Sequence, residues 1–162
     1  MNKIEVNLRI NGEKIVKEVA VNMLLSDFLR YELLLTGTHI GCDTSQCGAC
    51  IVMLDKKCIK SCSVLLAQCN NKNIITVEGL GKKEELHKLQ ESFKSNHGLQ
   101  CGFCTPGILF TALELSQQNN KKNEKQIREY LDGNLCRCTG YHNIVKSIKN
   151  YLEEINLLDE KI

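Results

Sequence analysis

A chain of 162 residues has room for one domain or two small ones, and two halves of that size would each have a thin core. The formal net charge of +2 gives no support to nucleic-acid binding, and no stretch reaches the length of a membrane span. Hydrophobic content, at 43%, is ordinary; ten cysteines are not. The N-terminal MNKIEVNLRING alternates apolar and polar residues and lacks the apolar run of a secretory leader. A cytoplasmic location is therefore expected, where thiols act as ligands or catalysts more often than as disulfides.

Ile4, Val6, Leu8 and Ile10 alternate with polar residues and predict a half-buried strand. Asn11-Gly12 is a two-residue hairpin signal, and Ile15 to Val19 is the return strand. Leu24, Leu25, Phe28 and Leu29 recur at helical spacing, with Asn22 as N-cap and Gly37 as terminator. GCDTSQCGAC, ending at Cys50, reads as a loop wrapped around something. Ile51 to Leu54 and Ile74 to Val77 are short strands, and Asp55-Lys56-Lys57 is a turn. Hairpin, helix, ligand loop and further strands describe a small α+β sheet domain.

The pattern changes near residues 78–82, after which strand signals vanish. Leu86, Leu89 and Phe93 mark one helical stripe. Thr105-Pro106 opens a second helix, with Thr as N-cap and Pro at the first helical position. Gln117 to Asn123 is a polar connection, with Lys121-Lys122 as a solvated turn. Ile127, Tyr130 and Leu131 form a third stripe stopped by Gly133, and Ile144 to Ile155 form a fourth. Four helices with short connections predict a compact four-helix bundle. The division expected is residues 1–79 and residues 80–162.

Cys42, Cys47 and Cys50 are spaced C-x4-C-x2-C, with Cys62 farther along, the plant-type [2Fe–2S] ligand pattern. Gly41 and Gly48 let the backbone approach closely, and loop N–H groups can face the sulfurs. A structural zinc site prefers paired CxxC or Cys/His motifs, so iron–sulfur is favoured here. The pairs Cys101/Cys104 and Cys136/Cys138 each precede a helix, whose N-terminus favours an anionic centre. That supports a metal site without naming the metal.

The strings GCDTSQCGAC, KSC, GLQCGFCTPG and GNLCRCTGYHNI together resemble the iron–sulfur subunit of the molybdenum hydroxylases, the xanthine oxidase family. Within it they look most like the small subunit of aerobic, molybdenum-containing carbon monoxide dehydrogenase. The resemblance implies a β-grasp ferredoxin-like N-terminal domain and a helical C-terminal domain. It implies two [2Fe–2S] clusters, one on Cys42, Cys47, Cys50 and Cys62 and one on Cys101, Cys104, Cys136 and Cys138. It also implies a large subunit carrying molybdopterin cytosine dinucleotide and a medium subunit carrying FAD, in a heterotrimer or a dimer of heterotrimers. Electrons would pass from molybdenum to the second cluster, then to the first, then to FAD, with Gln100 and Cys138 against the pterin. Alternatives are the same subunit in a xanthine, aldehyde or N-heterocycle dehydrogenase, or a zinc-stabilised interaction module.

No catalytic residue is expected on this chain: it has no Ser/His/Asp set, paired carboxylates or phosphate-cradling glycine loop. Cys58 and Cys69 fall outside both quartets and read as packed free thiols. His39, His87, His97 and His142 read as surface or packing residues, with His39 and His97 near the cysteine loops.

Overall fold

The computed structural model describes residues 2–81, 85–118 and 120–159. Residue 119 of the polar connection and residues 82–84, at the expected division, lie outside these. Strands β1 (Lys3–Ile10) and β2 (Glu13–Ala20) form an antiparallel hairpin in which Ile10 pairs with Glu13. Its turn is Asn11-Gly12, with φ of 52° and 88°. Positive φ at both positions matches the twist of the flanking strands, as the sequence predicts. Strands β3 (Ile51–Leu54), β4 (Lys57–Lys60) and β5 (Asn73–Ile75) complete a mixed five-stranded sheet of order β2-β1-β5-β3-β4. β5 runs parallel to β1 and antiparallel to β3. The fold is α+β.

Three expectations need correction in this half; one is the strand expected from Ile74 to Val77, which ends at Ile75 and gives way to a tight 3-10 turn over Val77–Gly79. Asn22 is not an N-cap: the chain stays extended through Leu24, which bridges to Leu65. The helix α1 (Leu25–Asp27) then widens into a π-helical turn over Phe28–Glu32, with Leu33 N–H bonded to the Phe28 carbonyl. It ends there, before Gly37, because Leu34 takes φ 58°. The Asp55-Lys56 turn leads directly into β4, which the sequence reading missed.

Four helices follow: α2 (Lys88–Ser95), α3 (Thr105–Ser116), α4 (Glu124–Tyr130) and α5 (His142–Glu154). α2 begins at His87, whose Nδ1 accepts the Leu89 N–H, and burial holds the His87 pKa below its usual value. α4 is capped by Asn123, which accepts the Gln126 N–H while Gln126 accepts that of Asn123. α3 is apolar on every side and lies between the sheet and the other helices. α5 turns one face inward through Ile144, Val145, Ile148, Tyr151 and Leu152.

Strand β3 joins the two halves. Val52 points into the core formed by Val6, Leu8, Ile10, Phe28, Leu29 and Ile74. Its neighbours Ile51 and Met53 point the other way, into the helical core with Ile108, Phe110 and Ile144. Strand alternation thus assigns successive residues of one strand to two cores. Lys122 is a further correction: it is 4% exposed, its Nζ donates to the side-chain oxygens of Gln118 and Asn120, and its N–H donates to Leu157.

Candidate metal centres

All ten cysteines are free thiols. The loop carrying Cys42, Cys47 and Cys50 closes back on β3, and Cys62 arrives on the short helical turn after β4. Cys50 and Cys62 hold their sulfurs 3.3 Å apart. The Cys47 N–H points at the Cys42 sulfur from 3.4 Å. That N–H and the one at Thr44 lower the Cys42 thiol to about 6, so the loop already favours a negative sulfur. Cys50 behaves oppositely: burial pushes it up to about 11, so a thiolate there needs a positive charge beside it.

Several residues hold this loop in place. Lys60 donates from Nζ to the Ser45 carbonyl at 2.7 Å, and Ser61 donates from Oγ to the Cys50 carbonyl at 2.7 Å. Ser45 takes φ 56° and Gly48 φ 72°. A Cβ on Gly41 would stand 3.0 Å from the Phe103 ring and 3.2 Å from the Cys47 sulfur, so glycine there lets the backbone pass close to both without crowding.

In the helical half, Cys101 and Cys138 bring their sulfurs within 3.6 Å, both exposed. Cys104 pairs with Cys136 through their side chains, and burial pushes the Cys104 thiol up to about 12. Burial also acts to raise Cys136, but the Thr139 hydroxyl, 3.0 Å from its sulfur, and the Thr139 N–H outweigh it and lower that thiol. Cys104, not Thr105, is the N-cap of α3, because its carbonyl accepts the Ile108 N–H, and this puts Pro106 at the second helical position. α5 starts after the turn Thr139–Tyr141, where Tyr141 takes φ 68°.

The Tyr141 hydroxyl accepts the Cys136 N–H at 2.9 Å and donates to the Asn134 carbonyl at 3.0 Å. Tyr141→Phe removes both bonds in a half-buried site. We expect it to lower unfolding stability by about 1–3 kcal/mol, seen as a lower urea midpoint at unchanged slope. An unaltered midpoint would show these bonds to be idle.

The two loops meet. The Leu135 N–H donates to the Cys47 carbonyl at 2.8 Å. Phe103, between Cys101 and Cys104, stacks on His39 with ring centroids 4.5 Å apart, and His39 Nδ1 donates to the Phe103 carbonyl at 2.8 Å. His39 therefore links the loops, while the His97 backbone donates to the Lys94 carbonyl and accepts from Asn143 Nδ2. Gln100, Cys101 and Cys138 are exposed beside Leu99, Phe103 and Leu135.

Cys58 and Cys69 are packed as expected. The Cys58 thiol donates to the Phe110 carbonyl, and burial and then Glu114 push it up to about 12; Cys69 is fully buried. Among the described residues no three or more His, Cys, Asp or Glu side chains form a group that could hold one metal ion; the thiols approach in pairs. Sequence reasoning missed Lys60, Thr139, Tyr141 and Asn134. All four lie within five residues of a candidate ligand, Lys60 in KSC and the others in GNLCRCTGY, but nothing in those strings marks a side chain as a donor.

Comparison with known proteins agrees with this donor chemistry. Residues 8–72 match the family model described as a 2Fe-2S iron-sulfur cluster binding domain, and residues 76–149 match that of a [2Fe-2S] binding domain. The chain is thus built from two iron–sulfur domains. It is 46% identical over 153 residues to the caffeine dehydrogenase subunit gamma of Pseudomonas sp. (strain CBB1), covering 93% of this chain and 92% of that one. It is 45% identical to the 6-hydroxypseudooxynicotine dehydrogenase complex subunit beta of Paenarthrobacter nicotinovorans, covering 91% and 92%. The crystal structure of quinoline 2-oxidoreductase from Pseudomonas putida 86 superposes with a TM-score of 0.86 at 43% identity, covering 90% of each chain. The chain belongs to the family of iron–sulfur electron-transfer subunits of the molybdenum hydroxylases, the xanthine oxidase family. Among the described residues no helix is long and apolar enough to cross a membrane.

Proposed function

We propose that Cys42, Cys47, Cys50 and Cys62 hold one [2Fe–2S] cluster and Cys101, Cys104, Cys136 and Cys138 a second, and that the chain relays single electrons between partner subunits. The observation that carries this is the pairwise approach of the thiols, 3.3 Å for Cys50 and Cys62 and 3.6 Å for Cys101 and Cys138. A two-iron cluster takes two thiolates on each iron, whereas zinc takes four on a single ion. The assignment that follows is Cys42 with Cys47, Cys50 with Cys62, Cys101 with Cys138 and Cys104 with Cys136. When bound, each cluster supplies a reversible one-electron site at a potential set by its hydrogen bonds and exposure.

The protein's own part is to shape both cages and bring them together. Cys47 and Leu135 join the cages through one backbone hydrogen bond, leaving no layer of water between the loops at that point. The exposed rim of Gln100, Cys101 and Cys138 is the side we assign to a large molybdopterin-binding subunit, with Gln100 and Cys138 toward the pterin. Gln100 can donate and accept there. A medium FAD-binding subunit would take electrons from the first centre, in a heterotrimer or a dimer of heterotrimers. The sheet order supports reading residues 1–79 as a β-grasp domain, and the four helices support a helical bundle over residues 80–162. Ten free thiols suit a reducing, cytoplasmic setting.

For the substrate of the complex, the relatives favour an N-heteroaromatic compound over carbon monoxide, since caffeine and quinoline are both N-heteroaromatic. The carbon monoxide reading rests on the cysteine-loop strings alone. Metal and sulfide analysis with EPR tests the relay. About four irons and four labile sulfides per chain, with two distinct signals on reduction, are expected. Zinc in place of iron, or a single signal at full iron loading, would sink it. Co-purification with molybdenum and flavin subunits, followed by a turnover screen, then decides the substrate class.

A further inference from the structure

Among the described residues, Ser26, Thr38 and Thr105 each bury one hydroxyl without a hydrogen-bond partner, but Asn134 buries a whole amide with neither Nδ2 nor Oδ1 partnered. Its residue is 3% exposed. The backbone around it is pinned: its N–H donates to Leu131, its carbonyl accepts the Tyr141 hydroxyl, and the next N–H donates to the Cys47 carbonyl. The side chain is thus held against the other half of the molecule. Gly48, between Cys47 and Cys50, lies so close that a Cβ on it would stand 2.8 Å from Asn134 Nδ2 and 2.3 Å from the Gly133 carbonyl oxygen. Gly48 has φ 72°, so glycine is needed there for conformation as well as for space.

A buried carboxamide without partners is costly, and native structures rarely keep one unless something else meets it. Nδ2 carries two donor hydrogens. The groups that the loop from Cys42 to Cys50 would gather, thiolate and sulfide sulfurs, only accept. Donors aimed at such sulfurs stabilise the extra negative charge of the reduced cluster. We propose that Asn134 Nδ2 donates a hydrogen bond to a sulfur of the cluster on Cys42, Cys47, Cys50 and Cys62, so that a residue of the helical half sets the potential of the sheet half's cluster. This rests on the ligand assignment above. Asn134 is a positioning and tuning residue: it leaves the ligand set unchanged and shifts how readily the first centre accepts an electron.

The test is an EPR-monitored redox titration of the full chain carrying its clusters. The first signal is identified by its loss in Cys50→Ser. In Asn134→Ala, reduction of the first cluster at a fixed potential should become about fivefold less favourable, the equivalent of one ordinary hydrogen bond. The second cluster should stay where it is. Asn134→Asp keeps the shape, removes the donors and adds charge, so it should shift the same cluster further in the same direction. If the first cluster keeps its wild-type potential in both variants, or if only the second moves, the proposal is wrong. A measurement on the unaltered sequence covers the case in which the variants fold poorly. With 15N placed in asparagine side chains, the reduced first cluster should show a weakly coupled 15N, because its loop from Gly41 to Cys50 contains no asparagine. Absence of that coupling also overturns the proposal. Absence of any [2Fe–2S] signal would instead overturn the ligand assignment itself.

Discussion

Gly107→Ala should be among the most damaging single-methyl additions to this chain. A Cβ on Gly107 would stand 2.0 Å from the Gly48 carbonyl oxygen, 3.0 Å from its carbonyl carbon and 3.3 Å from the Ala49 Cα. All three are backbone atoms, so no side chain can swing away. Gly107 lies in the first turn of α3, which is buried on every side, so the helix has little room to retreat. Overpacking in such a core costs about 1–3 kcal/mol, and here the strain falls on the peptide between Cys47 and Cys50. The expected result is a clear fall in thermal midpoint and a loss of iron from the first centre before the second. Gly133→Ala is the control. Its Cβ would meet nothing within 4 Å, so it should stay within about 0.5 kcal/mol of wild type. Equal stability of the two variants would mean that α3 and the first loop are not pressed together as described.

That contact also explains what the sequence could and could not reveal. Cysteine spacing is local: C-x4-C-x2-C and the two later pairs span only a few residues each, so the presence of two iron–sulfur domains was legible, whereas the joining of the Cys101/Cys104 pair to the Cys136/Cys138 pair came only from the family resemblance. The β1–β2 hairpin was legible for the same reason, because Asn11-Gly12 fixes the turn and the turn fixes the register. β4 was missed because Lys57-Cys58-Ile59-Lys60 is short and polar at both ends, and it becomes a strand only by pairing with β3 at the sheet edge. The helix at Leu25 starts late because of Leu65, far along the chain, and no cap residue could announce that. Lys122 reads as solvated until the Leu157–Asp159 segment lies over it. Asn134 and Gly107 carry no signal at all alone. Each matters only because the helical half lies on Gly48.

Replacing one of the cysteines assigned to each centre should separate the two halves functionally while leaving both folded. Cys50 is 1% exposed and its sulfur lies 3.3 Å from that of Cys62, so Cys50→Ser places a poorer oxygen donor at a buried position beside Cys62. The first EPR signal should vanish, iron should fall from about four to about two per chain, and the second signal should persist. Cys104→Ser should give the mirror result, because Cys104 is buried at the start of α3 and pairs with Cys136. Cys69→Ala should keep both signals, since Cys69 packs among Leu8, Leu66 and Ile74 and lies outside both quartets. The separability has a physical basis in β3: Val52 belongs to one core, Ile51 and Met53 to the other, so neither core depends on the other's cluster for its apolar packing. Besides β3 and the His39–Phe103 stack, the halves are joined by the Cys47–Leu135 hydrogen bond and the close approach of Gly107 to Gly48, backbone features that a serine leaves in place. If Cys50→Ser retained both signals at full iron content, the first quartet would be misassigned. If it lost both signals while the chain stayed folded, the two cages would share a ligand and the pairing of Cys50 with Cys62 alone would be wrong.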